Sequence, residues 1–265
     1  KKLAIAFLLG LAFVPVVVTS NTFVSLIIAK VVFIRLMIAV AWVALAVCWF
    51  TEKDIARSLD WRFLKSPLLI SVLIFTALAG ISTALAVNPY RAFFGTIVRG
   101  EGYIHLVYML AFLMAVSLVF ERKQWLQFFK LSLIAGAMVS ADAIWSYIET
   151  GERAEGIFLR NPTFISAYLL FVIFSVLVVL VYENRRGWRG FSYAVLSLSL
   201  VGLTVSNTRS VILGLLVALL VTGFYLAIKA GGVRARLFER QIGVRRLAIQ
   251  FLIFMVLFGA VFALT

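Results

Sequence analysis

Arginines stand in the short polar stretches between long apolar runs, and their side chains suit the binding of an anion. The stretch 88–102 joins two such runs and carries Arg91, Arg99 and Glu101 among glycines and aromatic residues. A guanidinium group donates two parallel hydrogen bonds to a phosphate and keeps its charge when partly dehydrated. This stretch therefore predicts the near-membrane lining of an anion-binding site.

Two further arginines lie where a polar cap precedes an apolar helix. Asn161 can cap the helix that follows Arg160. Pro162 suits the first turn of that helix. The N-terminus of such a helix exposes backbone N–H groups and the positive end of its dipole, which favour anions. Arg209 occupies the same position in the tight turn 206–210. An ordinary helix start with an arginine at the interface also fits both places.

Three charged residues have more than one interpretation. Arg35 lies about one turn deeper than Lys30 in an apolar helix, so it either snorkels to the interface or faces a polar partner. Asp142, in the outer half of another apolar segment, is expected to pair with an arginine or orient a substrate. Glu101 neutralises Arg99, holds it in place or binds a sugar hydroxyl.

The composition excludes a water-soluble globule. Of the 265 residues, 64% are hydrophobic and only 14% are charged, and the mean hydropathy is +1.10. Such a chain is typical of a polytopic membrane protein. The net charge of +14 is not gathered on a polar domain, so it indicates orientation in the bilayer rather than nucleic-acid binding.

Cysteine and histidine are too scarce for a metal centre or a disulfide framework. Cys48 and His105 are the single residues of their kinds in this sequence. We therefore expect no metal and no cofactor within this chain. His105, just inside an apolar helix, is interpreted as a structural hydrogen-bonding residue.

Nine apolar segments are long enough, or nearly so, to cross a bilayer, since about 20 helical residues span about 30 Å. They predict an all-α fold in a single transmembrane domain covering 1–265. The segments are 3–19, 30–50, 67–87, 103–120, 126–148, 161–182, 191–205, 210–228 and 247–264.

Lysine and arginine divide unevenly between the connecting segments. With a cytoplasmic N-terminus, 18 of the 25 lie on the inner side, which predicts this orientation. The basic stretch 231–246 is expected to lie along the inner surface, and Lys1 and Lys2 begin a signal anchor. Every cation in the outer loops is arginine: Arg91, Arg99, Arg153, Arg160 and Arg209.

Three stretches resemble the bacterial O-antigen ligase and polymerase family. The sequence Asn-Pro-Tyr-Arg-Ala-Phe-Phe-Gly-Thr-Ile-Val-Arg-Gly-Glu-Gly at 88–102 is similar to that family's Asn-Pro-x-x-Ser-Phe-Trp-Gly-x-x-x-Arg-x-Glu-Gly. The stretches 156–169 and 207–215 resemble two further motifs of the family, and Lys30 and Arg35 fall where it tends to have Lys and Arg. The resemblance covers nearly the whole chain.

The resemblance implies a membrane glycosyltransferase of the GT-C-like type in the bacterial inner membrane, acting in lipopolysaccharide or polysaccharide biosynthesis. Its donor would be a glycan on a polyprenyl diphosphate, and its acceptor lipid A core or a growing polysaccharide. Such enzymes have about twelve helices and a catalytic histidine in a large loop after the ninth, so this chain is expected to be an N-terminal fragment.

The resemblance and the cation pattern together give the expected site residues. Arg99, Arg160 and Arg209 are expected to contact the diphosphate, with Arg91 and Arg35 as further contacts. Glu101 is expected to position groups or act as the base, and Asn161 and Asp142 are expected to be positioning residues.

Two other classes of protein also fit. A flippase or transporter for a lipid-linked sugar needs an outward cationic cavity, but also matching cations facing inward within its helices. A non-catalytic membrane subunit would use its arginines only to meet lipid phosphates. The inner cations lie in loops, which favours the enzyme.

Overall fold

A computed structural model describes residues 1–18, 26–51, 63, 65–96, 99–229, 234–237 and 240–243. The chain divides into two compact units, Lys1–Ser206 and Asn207–Thr265, here called unit 1 and unit 2.

The regular secondary structure in the described residues of unit 1 is entirely helical, as the long apolar runs predict. Its first helix, α1, passes directly into a 3-10 helix, Leu11–Val16. The α-helices are α1 (Lys2–Gly10), α2 (Leu26–Thr51), α3 (Pro67–Ala84), α4 (Pro89–Phe94), α5 (Tyr103–Val119), α6 (Arg122–Thr150), α7 (Pro162–Tyr182) and α8 (Arg186–Val205).

Unit 2 contains the helix α9 (Arg209–Lys229) and two short strands, β1 (Arg234–Leu237) and β2 (Arg240–Gly243). The strands pair in antiparallel fashion, with Arg234 opposite Gly243. The all-α prediction is confirmed for unit 1, while this strand pair lies within the predicted surface segment 231–246. The ninth predicted segment, 247–264, lies outside the described residues.

Five helices, α2, α3, α6, α7 and α8, are long and apolar enough to cross a membrane. Their exposed side chains include many large apolar residues, such as Val43, Ile74 and Phe171. Large apolar groups on the outside suit contact with lipid. Length, composition and surface therefore support a polytopic membrane protein.

Several helix boundaries differ from the predicted ones for local reasons. The first segment changes to a 3-10 helix around Pro15, which has no backbone N–H to donate. Helix α6 begins four residues before the predicted Leu126, because Glu121 and Gln124 form a capping box. Helix α8 begins at Arg186 rather than Phe191.

Small residues let α6, α7 and α8 pack closely. Gly136 lies against Val172, and a Cβ added there would meet its methyl groups. The hydroxyl oxygens of Ser140 and Ser199 are 3.2 Å apart, and those of Ser166 and Ser206 are 2.6 Å apart. Small residues and interhelical hydroxyl bonds are the usual means of helix association in lipid, and here they give a firm frame for the loop 151–161.

The contacts within unit 1 define two ends. At the Lys1 end, the Lys1 amino group donates to Cys48 Sγ (2.8 Å), and Lys130 pairs with Glu183. At the Lys30 end, Lys30 and Arg35 of α2 contact Pro15 of the 3-10 helix, Gly100 before α5 and Phe158 before α7. Among the described residues, Lys1, Cys48, Lys130 and Glu183 thus lie at the end of unit 1 opposite to Lys30 and Arg35.

Candidate functional site

Lys30 joins three segments at the Lys30 end. Its ammonium group donates to the carbonyl oxygens of Pro15 (2.7 Å) and Phe158 (2.6 Å). Pro15 belongs to the 3-10 helix after α1, and Phe158 to the loop before α7. The half-buried lysine therefore fastens this loop to α2.

Arg35 makes an equivalent contact with a different loop. Its Nη2 atom donates to the carbonyl oxygen of Gly100 (2.6 Å), and its guanidinium lies 5.7 Å from the centre of the Tyr108 ring. Its Nε atom is buried and has no hydrogen-bond partner among the described residues. Of the two interpretations of Arg35, the structure shows the one with a polar partner.

These two contacts bring two predicted site arginines to the same end of unit 1. Lys30 and Arg35 are five residues apart, or about 7.5 Å along the helix axis. They anchor the loop 95–102, which carries Arg99, and the loop 151–161, which carries Arg160. The side chains of both arginines are exposed.

The first loop folds back tightly on itself. Asn88 caps the short helix α4 by accepting from the Arg91 backbone N–H (3.0 Å), and Arg91 is exposed. At Gly95, φ is +83°, and a Cβ there would lie 2.7 Å from the amide nitrogens of Glu101 and Gly102. Only glycine fits this close approach. The Glu101 side chain is exposed beside it.

Asp142 holds the second loop through its backbone. Its Oδ2 atom accepts from the N–H groups of Ile157 (2.8 Å) and Phe158 (3.1 Å). The carboxylate thus positions the loop that carries Arg160. Asp142 was expected to pair with an arginine or orient a substrate, whereas here its hydrogen bonds are to the main chain.

Arg160 and Asn161 form the start of α7. Asn161 Oδ1 accepts from the Thr163 backbone N–H (2.9 Å), so the predicted cap is confirmed. Arg160 has φ +49°, a left-handed conformation that costs a non-glycine residue about 1 kcal/mol. This backbone turn sets the direction in which the chain enters α7.

His105 and Lys30 were not assigned to the site from sequence. His105 is half-buried, and its Nδ1 atom has no hydrogen-bond partner among the described residues. The signal for Lys30 was its place, with Arg35, in an otherwise apolar helix. Nothing local distinguished His105 from a structural histidine.

Arg209 belongs to unit 2. It is the first residue of α9, where the carbonyl oxygen of Thr208 accepts from the N–H groups of Val211 (3.1 Å) and Ile212 (3.2 Å). Its side chain is exposed. The predicted start of an apolar helix at this turn is confirmed.

The chemistry of the Lys30 end follows from local arrangement rather than from total charge. Lys30 and Arg35 bind carbonyl oxygens, which orient a cation without cancelling its charge. Acids are present as well, since Glu149, Glu152 and Glu155 are exposed near the second loop. An anion would therefore be held by direct contact with particular guanidinium groups.

Fold and site together define a helical membrane protein with a cation-bearing loop cluster at one end. No protein-family profile, curated protein or solved structure matches this chain. The similarity to the O-antigen ligase family therefore rests on the three sequence stretches.

Proposed function

We propose that this protein is an O-antigen ligase-like membrane glycosyltransferase. It moves a glycan from a polyprenyl diphosphate carrier to lipid A core or to a growing polysaccharide. Nine membrane crossings, a GT-C-like arrangement, a cytoplasmic N-terminus and an inner-membrane location belong to the same proposal. In this orientation the Lys30 end faces outward.

The observation that supports the proposal is the pair of contacts made by α2. Lys30 and Arg35 bond Phe158 and Gly100 (2.6 Å each), so the loops carrying Arg160 and Arg99 share one end of unit 1. A lipid-linked diphosphate has its anionic group at the membrane surface and its chain in lipid. Exposed guanidinium groups at the end of apolar helices meet both requirements.

The reaction needs stabilisation of negative charge on the departing diphosphate. The bond between the sugar carbon and the diphosphate oxygen breaks, and the electron pair goes to that oxygen. Guanidinium groups already in position stabilise this charge most strongly where water is partly excluded. A base removes the proton of the acceptor hydroxyl as it attacks the sugar carbon, and Glu101, beside Arg99, is our candidate for that base or for a positioning residue.

Donor binding is the first test. We expect the purified chain in nanodiscs to bind farnesyl diphosphate in preference to farnesol. Arg99→Gln and Arg160→Gln should each weaken this binding about tenfold, because each removes a hydrogen bond between charged groups. Arg209→Gln, Arg91→Gln and Arg35→Gln test the other predicted contacts.

The control is Arg122→Gln, which removes the same charge at the Lys1 end, where Arg122 lies over the Tyr182 ring (4.6 Å). It should leave diphosphate binding unchanged. In proteoliposomes of the complete native protein, with a polyprenyl diphosphate-linked oligosaccharide and lipid A core, Arg99→Gln and Arg209→Gln should reduce transfer about 100-fold. Full binding and transfer by both variants would refute the proposal.

A further inference from the structure

An open groove lies between α6 and α8 at the Lys1 end. Its volume is about 500 Å³, and it is lined by Ile134, Arg185, Gly187, Trp188 and Phe191. Apart from Arg185 its walls are apolar. The groove is at the opposite end of unit 1 from the candidate site, so what binds there is independent of the proposed glycan transfer.

Glu183, two residues before Arg185, already has two hydrogen-bond partners. Glu183 pairs with Lys130, and its other carboxylate oxygen accepts from the Arg185 backbone N–H (2.9 Å). The Lys130 ammonium also lies 4.9 Å from the centre of the Trp188 ring. Lys130 and Glu183 therefore neutralise each other, whereas the exposed Arg185 side chain keeps its charge at the rim.

A second arginine lies one helical turn from the first. The Arg189 N–H donates to the Arg185 carbonyl oxygen (3.1 Å), so the two residues stand four apart at the start of α8. Like charges at this spacing repel each other. An anion between them would remove the repulsion, and the positive end of the α8 dipole would add to the attraction.

We propose that this groove binds an anionic phospholipid. One acyl chain lies against Ile134, Trp188 and Phe191, and the phosphate lies at Arg185 and Arg189. Trp188 suits this place, because tryptophan prefers the boundary between headgroups and hydrocarbon. A free phosphate would use the arginines but leave the apolar walls uncovered, so the occupant is the lipid.

The test measures lipid retained by the purified full chain in detergent, using native mass spectrometry. Phosphatidylglycerol and phosphatidylcholine with the same acyl chains are compared at equal concentration, with inorganic phosphate as a third ligand. We expect phosphatidylglycerol to be preferred. Arg185→Gln should weaken its binding about fivefold, the effect expected of one basic residue at an anionic headgroup.

Gly187 and Gly190 offer a matched pair for the apolar part of the groove. A Cβ at either would meet nothing within 4 Å, so both positions accept a larger side chain. Gly187 lines the groove and Gly190 is not among its lining residues. Gly187→Leu should therefore reduce binding of phosphatidylglycerol, and Gly190→Leu should not.

Arg122→Gln is the charge control at the same end and should retain the preference for phosphatidylglycerol. Equal retention of the two lipids would overturn the proposal. So would equal losses in Arg185→Gln and Arg122→Gln, or displacement of the bound lipid by inorganic phosphate at a similar concentration.

Discussion

The two ends of unit 1 hold their cations in different ways. At the Lys1 end, cations meet carboxylates: Lys1 lies 3.8 Å from Glu121, and Lys130 pairs with Glu183. At the Lys30 end, Lys30 and Arg35 donate instead to backbone carbonyl oxygens. The first arrangement cancels charge and the second only orients it.

This difference separates two reasons for having cations in a membrane protein. The segments assigned to the inner side hold most of the lysines and arginines of the sequence. Among the described residues at the Lys1 end, cations form ion pairs or lie over aromatic rings. At the other end they are few, and two of them fix the loops that carry the exposed arginines. The proposed site therefore rests on the cations of the Lys30 end, which orient loops, rather than on those of the Lys1 end, which form ion pairs.

The largest effect on stability is expected at the Lys1 end. Lys130→Met removes the partner of Glu183, whose side chain is only 10% exposed, and leaves a carboxylate without its counterion. We expect a lower thermal unfolding midpoint for Lys130→Met than for Arg122→Gln, measured on detergent-purified protein. Equal midpoints would show that the Lys130–Glu183 pair contributes nothing to thermal stability.

The pH dependence of that effect has a definite sign. The hydrogen bond from Lys130, and then the backbone N–H of Arg185, hold the pKa of Glu183 below its ordinary value of 4.5. The stabilisation is thus complete above pH 4.5 and is lost as the pH falls through the lowered pKa. The difference between wild type and Lys130→Met should narrow on acidification, and a difference that widens would contradict this ionisation.

The next effect concerns the tight loop at the Lys30 end. Gly95→Ala forces a Cβ against the amide nitrogens of Glu101 and Gly102, whereas Gly151→Ala, at a similar φ of +68°, places its Cβ in open space. Gly95 also has ψ −170°, a combination that residues other than glycine essentially never adopt, whereas Gly151, with ψ 1°, is left-handed helical. The difference between the two variants therefore reports the extra backbone strain and the close approach together. We expect Gly95→Ala to be less stable than Gly151→Ala by about 1–3 kcal/mol.

The measurement is the unfolding midpoint of the two alanine variants, together with farnesyl diphosphate binding. Gly95→Ala should also weaken binding, since it displaces the loop that carries Arg99. If both variants behave alike, the loop does not need its close approach, and the contrast between the two ends loses its structural basis.

Local sequence signals predicted the parts of this fold that depend on neighbouring residues. Asn161, followed by proline, begins a helix as predicted, because its side chain accepts an N–H of the first turn. Asn88 caps the short helix α4 in the same way, although that helix was not predicted. Apolar runs of sufficient length predicted the long helices of unit 1 with boundaries that differ by a few residues, but not the short helix α4. These features need no knowledge of the rest of the chain.

Local sequence signals could not identify the partners of the half-buried Lys30 and Arg35. Lys30 bonds a carbonyl 128 residues away and Arg35 one 65 residues away. Every residue has a carbonyl oxygen, so residue type cannot mark the acceptor. Glu183 was missed too, although a lone acid in the basic stretch 182–189 was a usable sign of a buried partner.

The smallest effect is expected at Asp142, where an acid of the Lys30 end holds main-chain N–H groups. Its Oδ2 atom alone contacts the nitrogens of both Ile157 and Phe158, so the single carbonyl oxygen of Asp142→Asn can keep both hydrogen bonds. We expect that variant to lose about 1 kcal/mol and Asp142→Ala about 2 kcal/mol in local stability. The amide hydrogens of Ile157 and Phe158 should then exchange about fivefold faster in Asp142→Asn and about thirtyfold faster in Asp142→Ala.

Ser146→Ala removes one neutral bond to the Gly156 N–H in the same loop and serves as the reference. If Asn and Ala accelerate exchange equally, the negative charge rather than the acceptor geometry holds the loop, and the Lys30 end then resembles the Lys1 end more than its contacts indicate.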